Sequence, residues 1–193
     1  MQRDNEPFLD PEYKVPAGAN NYFKFQQGEN VFRILSKPIM GWEWWTDDIT
    51  PDGKEIRKPN RVREEEGVPI EAANDEDNMP KHFWAMVVWN YADKKIQILE
   101  ITQKGIQRAI AALARSKGWG NPENYDISIT KSGEKLETEY SVMPIPPAPL
   151  DKDIVKKYKE TNINLEALYE GKDPFADKEK EIDPDEIDKT LAT

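Results

Sequence analysis

The sequence contains no cysteine and only one histidine, His82. Disulfides and thiolate metal sites are therefore excluded, and one imidazole leaves little material for a zinc cluster or a Ser-His-Asp triad. No apolar run approaches the roughly 18 residues that a membrane helix needs, and the first residues lack the apolar core of a secretory signal. Phosphate-binding loops, metalloprotease motifs and nucleophile elbows are also missing. We therefore expect a non-enzymatic protein without cofactor or bound metal, away from the membrane and in a reducing compartment.

The acidic residues of this chain, whose net charge is −10, are concentrated in two segments. Residues 64–77 hold seven acids and no base, and residues 173–193 hold eight acids and three bases. The rest of the chain has 22 acidic and 24 basic residues and is close to neutral. Because net charge bears on partners and solubility rather than on fold, its location matters more than its sum. A nucleic-acid partner is therefore compatible with the composition.

Proline placement and charge divide the chain into four parts. We predict an irregular N-terminal arm (1–27), a β-rich domain (28–150), a helical extension (151–172) with short helices near 154–159 and 165–169, and a disordered acidic tail (173–193). The domain contains a long insertion at residues 47–80, basic in its first half and acidic in its second. Irregular loops of this length are usually functional or disordered.

The run KHFWAMVVWNY, a tight turn at residues 92–93 and the run KKIQILEI predict an antiparallel hairpin. This turn pairs Asn90 with Lys95, and the alternation of side chains then sorts the hairpin into two faces. We expect a core face made of Val87, Trp89, Ile96 and Ile98, with Phe83 on the same side. The opposite face, with Trp84, Asn90, Lys95 and Gln97, is predicted to be exposed, aromatic and polar, and therefore functional.

The other elements surround this hairpin. ENVFRILSK predicts a first strand with Phe32 and Ile34 facing inward, and GWEWWT predicts its bent continuation. A helix is predicted between an N-cap at Thr102 and Gly118, and YDISITK and LETEYSVMPI predict a second hairpin. The order strand, insertion, strand, strand, helix, strand, strand is that of a mainly β, five-stranded OB-fold barrel with one helix between strands three and four. Another small β-barrel and an α+β sheet with the helix on one face are the alternatives.

Several of these segments resemble bacteriophage single-stranded-DNA-binding proteins of the OB-fold type. The similar runs are KHFWAMVVWNYADKKIQILEITQKGIQRAI, ENVFRILSKPIMGWEWW and YDISITKSGEKLETEYSVMPIP, and the likeness returns in the acidic tail. The resemblance implies an OB fold, coating of single strands during phage replication and recombination, and residence in the cytoplasm of an infected bacterium. It also implies a tail that contacts replication or recombination proteins. We expect Asp183, Asp185, Glu186 and Asp188 to make those contacts.

Sequence-tolerant binding of single strands combines a cationic groove for phosphates with aromatic rings on which bases stack. In an OB fold, the face of strands two and three and its flanking loops bind oligonucleotides. The basic residues and rings of this region form the predicted site: Arg33, Lys37, Trp42, Trp44, Trp45, Arg57, Lys58, Arg61, Arg63, Lys81, Trp84, Tyr91, Lys94 and Lys95. For any single tryptophan, packing in the core is the competing interpretation.

Two other function classes remain open at this point. The chain could be a protein-interaction adaptor, a β-barrel whose acidic segments bind a basic partner or mimic nucleic acid. It could also bind RNA, since nothing in the sequence identifies recognition of a 2′-hydroxyl. The sequence also leaves open whether the chain forms a homo-oligomer.

Overall fold

The structure, a computed structural model, describes residues 20–176. This part of the chain is mainly β, as predicted, with seven antiparallel strands in one open sheet and three helices. The strands are β1 (Gly28–Ile34), β2 (Ile39–Ile49), β3 (Glu55–Arg63), β4 (Lys81–Asn90), β5 (Lys95–Ile101), β6 (Asp126–Ser132) and β7 (Glu139–Pro144), and the helices are α1 (Ile70–Ala73), α2 (Lys104–Arg115) and α3 (Lys152–Glu160). None of these helices is long and apolar enough to cross a bilayer.

β4 is the centre of the sheet because it pairs along both of its edges. One edge pairs with β5, and the other pairs first with β2 and then with β1. β1 and β2 are therefore two halves of one bent strand, interrupted at Pro38, which supports the predicted continuation through GWEWWT. β6 adds to the free edge of β1 and β7 adds to β6.

The predicted register of the central hairpin is confirmed. Asn90 pairs with Lys95, Trp89 with Ile96 and Val87 with Ile98. The turn itself is longer than predicted, since four residues, 91–94, connect the strands. Asn90 Oδ1 accepts a hydrogen bond from Ala92 N at 3.0 Å, which holds the first half of this turn.

The prediction that one face of this hairpin is exposed is wrong. Met86 and Val88 share the side of Trp84, and they are buried with Ile106 and Ile110 of α2 in the main core. Gln97 is fully buried and Asn90 is 7% exposed. Asn90 Nδ2 donates to Gln97 Oε1 at 2.9 Å, so these two amides satisfy each other inside the protein instead of facing solvent. Of the four residues expected on the exposed face, Lys95 is exposed and Trp84 is half-buried.

The second face of β4 is covered by the segment that follows α3. Phe83, Ala85 and Ile98 form a smaller core with Leu168, and the partly buried Tyr169 and Phe175 pack against it. The predicted helices of the extension are present as α3 and as a 3₁₀ helix at Leu165–Leu168. Residues 163–175 are therefore a structural layer on the sheet. Of the predicted tail, residues 177–193 lie outside the described residues.

Residues 47–80 are more regular than an irregular insertion. β2 continues to Ile49 and turns back as β3, and the two strands pair from Gly41–Arg63 to Ile49–Glu55. The acidic half contains a 3₁₀ helix at Glu64–Glu66 and the short helix α1. Alternation is hard to recognise in β3 because charged residues occupy both of its faces.

Two details of the predicted barrel also differ. The N-cap of α2 is Gln103 and its C-cap is Ser116, not Thr102 and a residue next to Gly118. The second hairpin forms as predicted, with Ile127 and Ile129 buried, but β7 does not pair with β5, so the sheet is not a closed barrel.

Candidate nucleic-acid interface

The β2–β3 hairpin extends beyond the rest of the sheet as a two-stranded arm. β4 pairs with β2 only over residues 39–43, so residues 44–49 pair with β3 alone. We call residues 44–60 the arm. It carries Trp44, Trp45 and exposed cations at Lys54, Arg57 and Lys58. The sequence therefore folds the predicted basic segment and two of the predicted rings into one projecting ribbon.

A row of half-exposed rings follows one face of this hairpin into the sheet. Met40 pairs with Trp84 and Trp42 with His82 on adjacent strands, so these side chains share a face with Trp44. The Trp42 ring meets the His82 ring edge-on, with centroids 5.3 Å apart. Trp42, Trp44 and Trp84 are all of intermediate exposure. Partial exposure leaves ring surface for stacking while the rest of each side chain is packed.

At its inner end this aromatic face opens into a groove of about 420 Å³. The groove lies between α2 and the connection from β1 to β2, and its lining is strongly apolar. Trp84 and Met40 line it from the sheet, Ala111 and Ala114 line it from α2, and Lys37 lies at its edge. Of the predicted site residues, the structure brings Trp84 and Lys37 together here. Trp42 is on the same face, two residues along β2 from Met40, the residue that pairs with Trp84.

A second cleft, of about 260 Å³, brings together Trp45, Arg57 and Lys81. Acidic residues line the same cleft, because Glu76 and Asp77 of the acidic block fold back against the arm. Arg57 donates a hydrogen bond to Asn78, and Asp75 accepts from the Asn78 backbone at 3.0 Å, which fixes this turn. The Asn78 hydrogen bonds, together with nearby Arg57, lower the pKa of Asp75. The acidic half of the insertion thus partly neutralises its basic half.

Arg33 does not lie on the binding surface that the sequence predicted. Its side chain is 3% exposed, and its Nε lies 2.5 Å from Asp126 Oδ1. Its Nη2 donates to the carbonyl oxygen of Ala148 at 3.1 Å. Alternation placed Arg33 opposite the core, but the proline-rich segment after β7 covers that side and buries the guanidinium.

Arg61 and Arg63 also pair with carboxylates of the protein itself, and the Arg61 side chain is buried whereas that of Arg63 is 43% exposed. Arg61 Nη2 lies 2.7 Å from Glu43 and 3.0 Å from Glu100, and its side chain is 7% exposed. Burial raises the pKa of Glu100, and the nearby Glu43 carboxylate adds to the rise while Arg61 opposes it. Arg63 pairs with Glu166 at 2.7 Å, and its guanidinium lies over a tyrosine ring of the covering segment. These two arginines therefore attach the hairpin to its surroundings.

The remaining predicted residues lie elsewhere. Lys94 lies in the β4–β5 turn and Lys95 begins β5, at the end of β4 opposite to Lys81. At about 3.4 Å per residue of strand, this end is about 30 Å from Lys81 and about 20 Å from Trp84. Tyr91 donates to Asp126 Oδ1 at 3.0 Å, and burial together with that carboxylate raises the pKa of Tyr91 to about 12. Lys58 lines a third cleft, next to Gly171 and Tyr22. The four tail positions Asp183, Asp185, Glu186 and Asp188 lie outside the described residues.

Sequence reasoning missed part of the groove. Met40, Arg115 and the two alanines of α2 were not among the predicted residues, although all line it. One available signal was the low volume of Ala111 and Ala114, which lie on one side of α2, beside the apolar stripe.

Comparisons with protein-family models, curated proteins and solved structures found no match for the chain. Within residues 20–176, no three histidine, aspartate or glutamate side chains gather closely enough to hold a metal ion.

Proposed function

We propose that the chain is a sequence-tolerant single-stranded-DNA-binding protein that performs no chemistry, and that its sheet is a variant of the OB fold. The strand order and the helix between β5 and β6 support the fold assignment. The segment just before β1 also supports it. Tyr22 bridges to Ile98 of β5, and the Phe25 ring lies 5.5 Å from the Tyr140 ring of β7. This segment fills the gap that a fifth barrel pairing would close.

The observation that carries the functional proposal is the row of half-exposed rings beside cations. Trp42, Trp44 and Trp84 share one sheet face, and Lys37 and Lys54 lie at its two ends. Neither lysine has an ion-pair partner within residues 20–176. Stacking of bases on such rings contributes about 1–3 kcal/mol per base, and lysines neutralise the phosphates between them. The combination fits a strand bound without sequence preference.

The path of the strand differs from the usual OB-fold surface. In this chain the opposite face of β4, with Phe83 and Ala85, is covered by Leu168 and its neighbours. A strand on that face would have to displace this apolar layer. We therefore place the strand on the face of Trp42 and Trp84 and along the arm.

The test is tryptophan fluorescence during titration with poly(dT) and with duplex DNA, at low and moderate salt. We expect quenching by the single strand, reversed by salt because released counterions drive the ionic part of binding. Lys37→Ala should weaken binding and reduce its salt dependence by about one phosphate contact. Lys95→Ala removes the same charge at the far end of β4 and is the matched control.

Quenching that is equal for single strands and duplexes, or absent at every salt concentration, would refute the proposal. The protein-interaction adaptor would then become the leading candidate, with the acidic block as its binding segment.

Under the main proposal, the tail residues Asp183, Asp185, Glu186 and Asp188 recruit replication or recombination proteins in an infected bacterial cell. Binding of such a partner to the full chain and not to a chain ending at Ala176 would test that part.

A further inference from the structure

The groove between α2 and the β1–β2 connection is a slot with two dissimilar walls. Ala111 and Ala114, three residues apart on α2, contribute only methyl groups to one wall. The Trp84 indole and the Met40 and Met86 thioethers form the other. Its volume is about 420 Å³, whereas an apolar cavity of about 150 Å³ already accepts a benzene ring. The slot is therefore large enough for one planar heterocycle.

The charges at the mouth of this slot complement a nucleotide. Lys37 lies on the sheet side and Arg115 on the helix side, both are exposed, and neither has an ion-pair partner within residues 20–176. Glu123 also lines the mouth, which leaves a net positive edge. On the sheet wall, Trp84 Nε1 is a buried donor without a hydrogen-bond partner. His82 Nε2 is likewise without one, although Glu64 Oε1 lies 3.7 Å away.

We propose that this groove takes one nucleobase of the bound strand, while Lys37 and Arg115 contact the flanking phosphates. The base lies between the alanine wall and the Trp84–Met40 wall, where thioether and indole surfaces favour an aromatic ring. The groove is continuous with the row of rings, because Trp42 and Trp84 belong to neighbouring side-chain pairs on the same face. This continuity favours a base over a protein side chain as the occupant. The inference rests on the proposed function above and adds a defined subsite to it.

The test narrows the groove and asks whether the affinity for bases falls while the affinity for phosphates does not. Ala111→Leu fills the groove and keeps a good helix former, whereas Ala92→Leu makes the same change at an exposed position of the β4–β5 turn, away from the groove. Affinity is measured for oligo(dT) and for an abasic oligonucleotide of the same length. We expect Ala111→Leu to bind oligo(dT) about 5-fold or more weakly, the loss of one stacked base, and the abasic strand with unchanged affinity.

Equal affinities of Ala111→Leu and Ala92→Leu for oligo(dT) would overturn the base site, and the proposed function would stand if both still bind. A wild-type chain that binds no single strand would instead refute the proposed function itself. An equal loss for both oligonucleotides would assign the groove to phosphate contact and also overturn the proposal.

Photocrosslinking of unmodified protein to 5-iododeoxyuridine DNA avoids the question of variant folding. Crosslinks at Met40 or Trp84 are expected, and crosslinks confined to the arm would contradict the base site.

Discussion

Replacing Arg33 distinguishes a structural cation from a DNA-binding one. Arg33→Met keeps the apolar stem but removes the guanidinium that pairs with Asp126 and binds the Ala148 carbonyl. Removing one partner of a buried ion pair costs about 3–5 kcal/mol. Asp126 is 19% exposed and keeps its hydrogen bond from Tyr91, so we expect a smaller loss in the free energy of unfolding, about 2–3 kcal/mol.

Urea unfolding at neutral pH measures this loss, and a double-mutant cycle with Asp126→Asn isolates the pair. The second substitution removes the charge that Arg33→Met leaves without its cation, so the double variant should regain part of the stability. The second measurement is the salt dependence of DNA binding, which should be the same for Arg33→Met as for the wild-type protein. A stability loss below about 0.5 kcal/mol, together with a salt slope reduced by about one phosphate contact, would show that Arg33 reaches DNA and that the reasoning from burial is wrong.

Three further predictions concern the layers and the buried charges. Leu168→Ala should lower the free energy of unfolding by about 2–3 kcal/mol in urea titrations, since Leu168 is 3% exposed, while Leu136→Ala at a fully exposed position should have almost no effect. Gly41→Ala should destabilise by about 1–3 kcal/mol or more in the same assay, because a Cβ there would lie 2.0 Å from the Val62 carbonyl oxygen. The raised pKa of Glu100 means that the folded state holds its proton more tightly, so stability should fall as pH rises from about 4.5 through that pKa. Glu100→Gln should flatten this part of the pH profile, and an unchanged profile would contradict the assignment.

The register of the central hairpin could be predicted because both strands alternate with a strong apolar signal. The exposure of its faces could not be predicted from alternation alone. Residues 83–89 contain no polar side chain, and such a run is typical of a strand buried on both faces. Interpreting it as half-buried placed Gln97 and Asn90 at the surface, where they are not. The covering segment at 163–175 is distant in sequence, so no local pattern indicates which face it packs on.

The sequence predicted the kinds of residue that form the candidate site, but not which individual residues belong to it. The sequence identified the rings and cations of β2, β3 and β4, and the structure places Trp42, Trp44 and Trp84 on one face. It could not show which arginines find carboxylate partners, because Glu43, Glu100 and Asp126 come from other strands. A basic residue in a strand can bind phosphate or hold the sheet to its neighbours, and its ion-pair partners decide between the two.

The covering segment and the ion pairs together determine which surface remains for a ligand. Leu168 and Tyr169 cover one face of β4, and the same layer holds Arg63 through Glu166. A polyanion at this position would have to displace the apolar contacts of this layer and compete with the Glu166 carboxylate for one cation. On the other side, α2 covers Met86 but leaves Trp84 and Met40 at the edge of an open groove that leads to the arm. Rings and cations already lie there, and no part of the described fold must be removed for a strand to reach them.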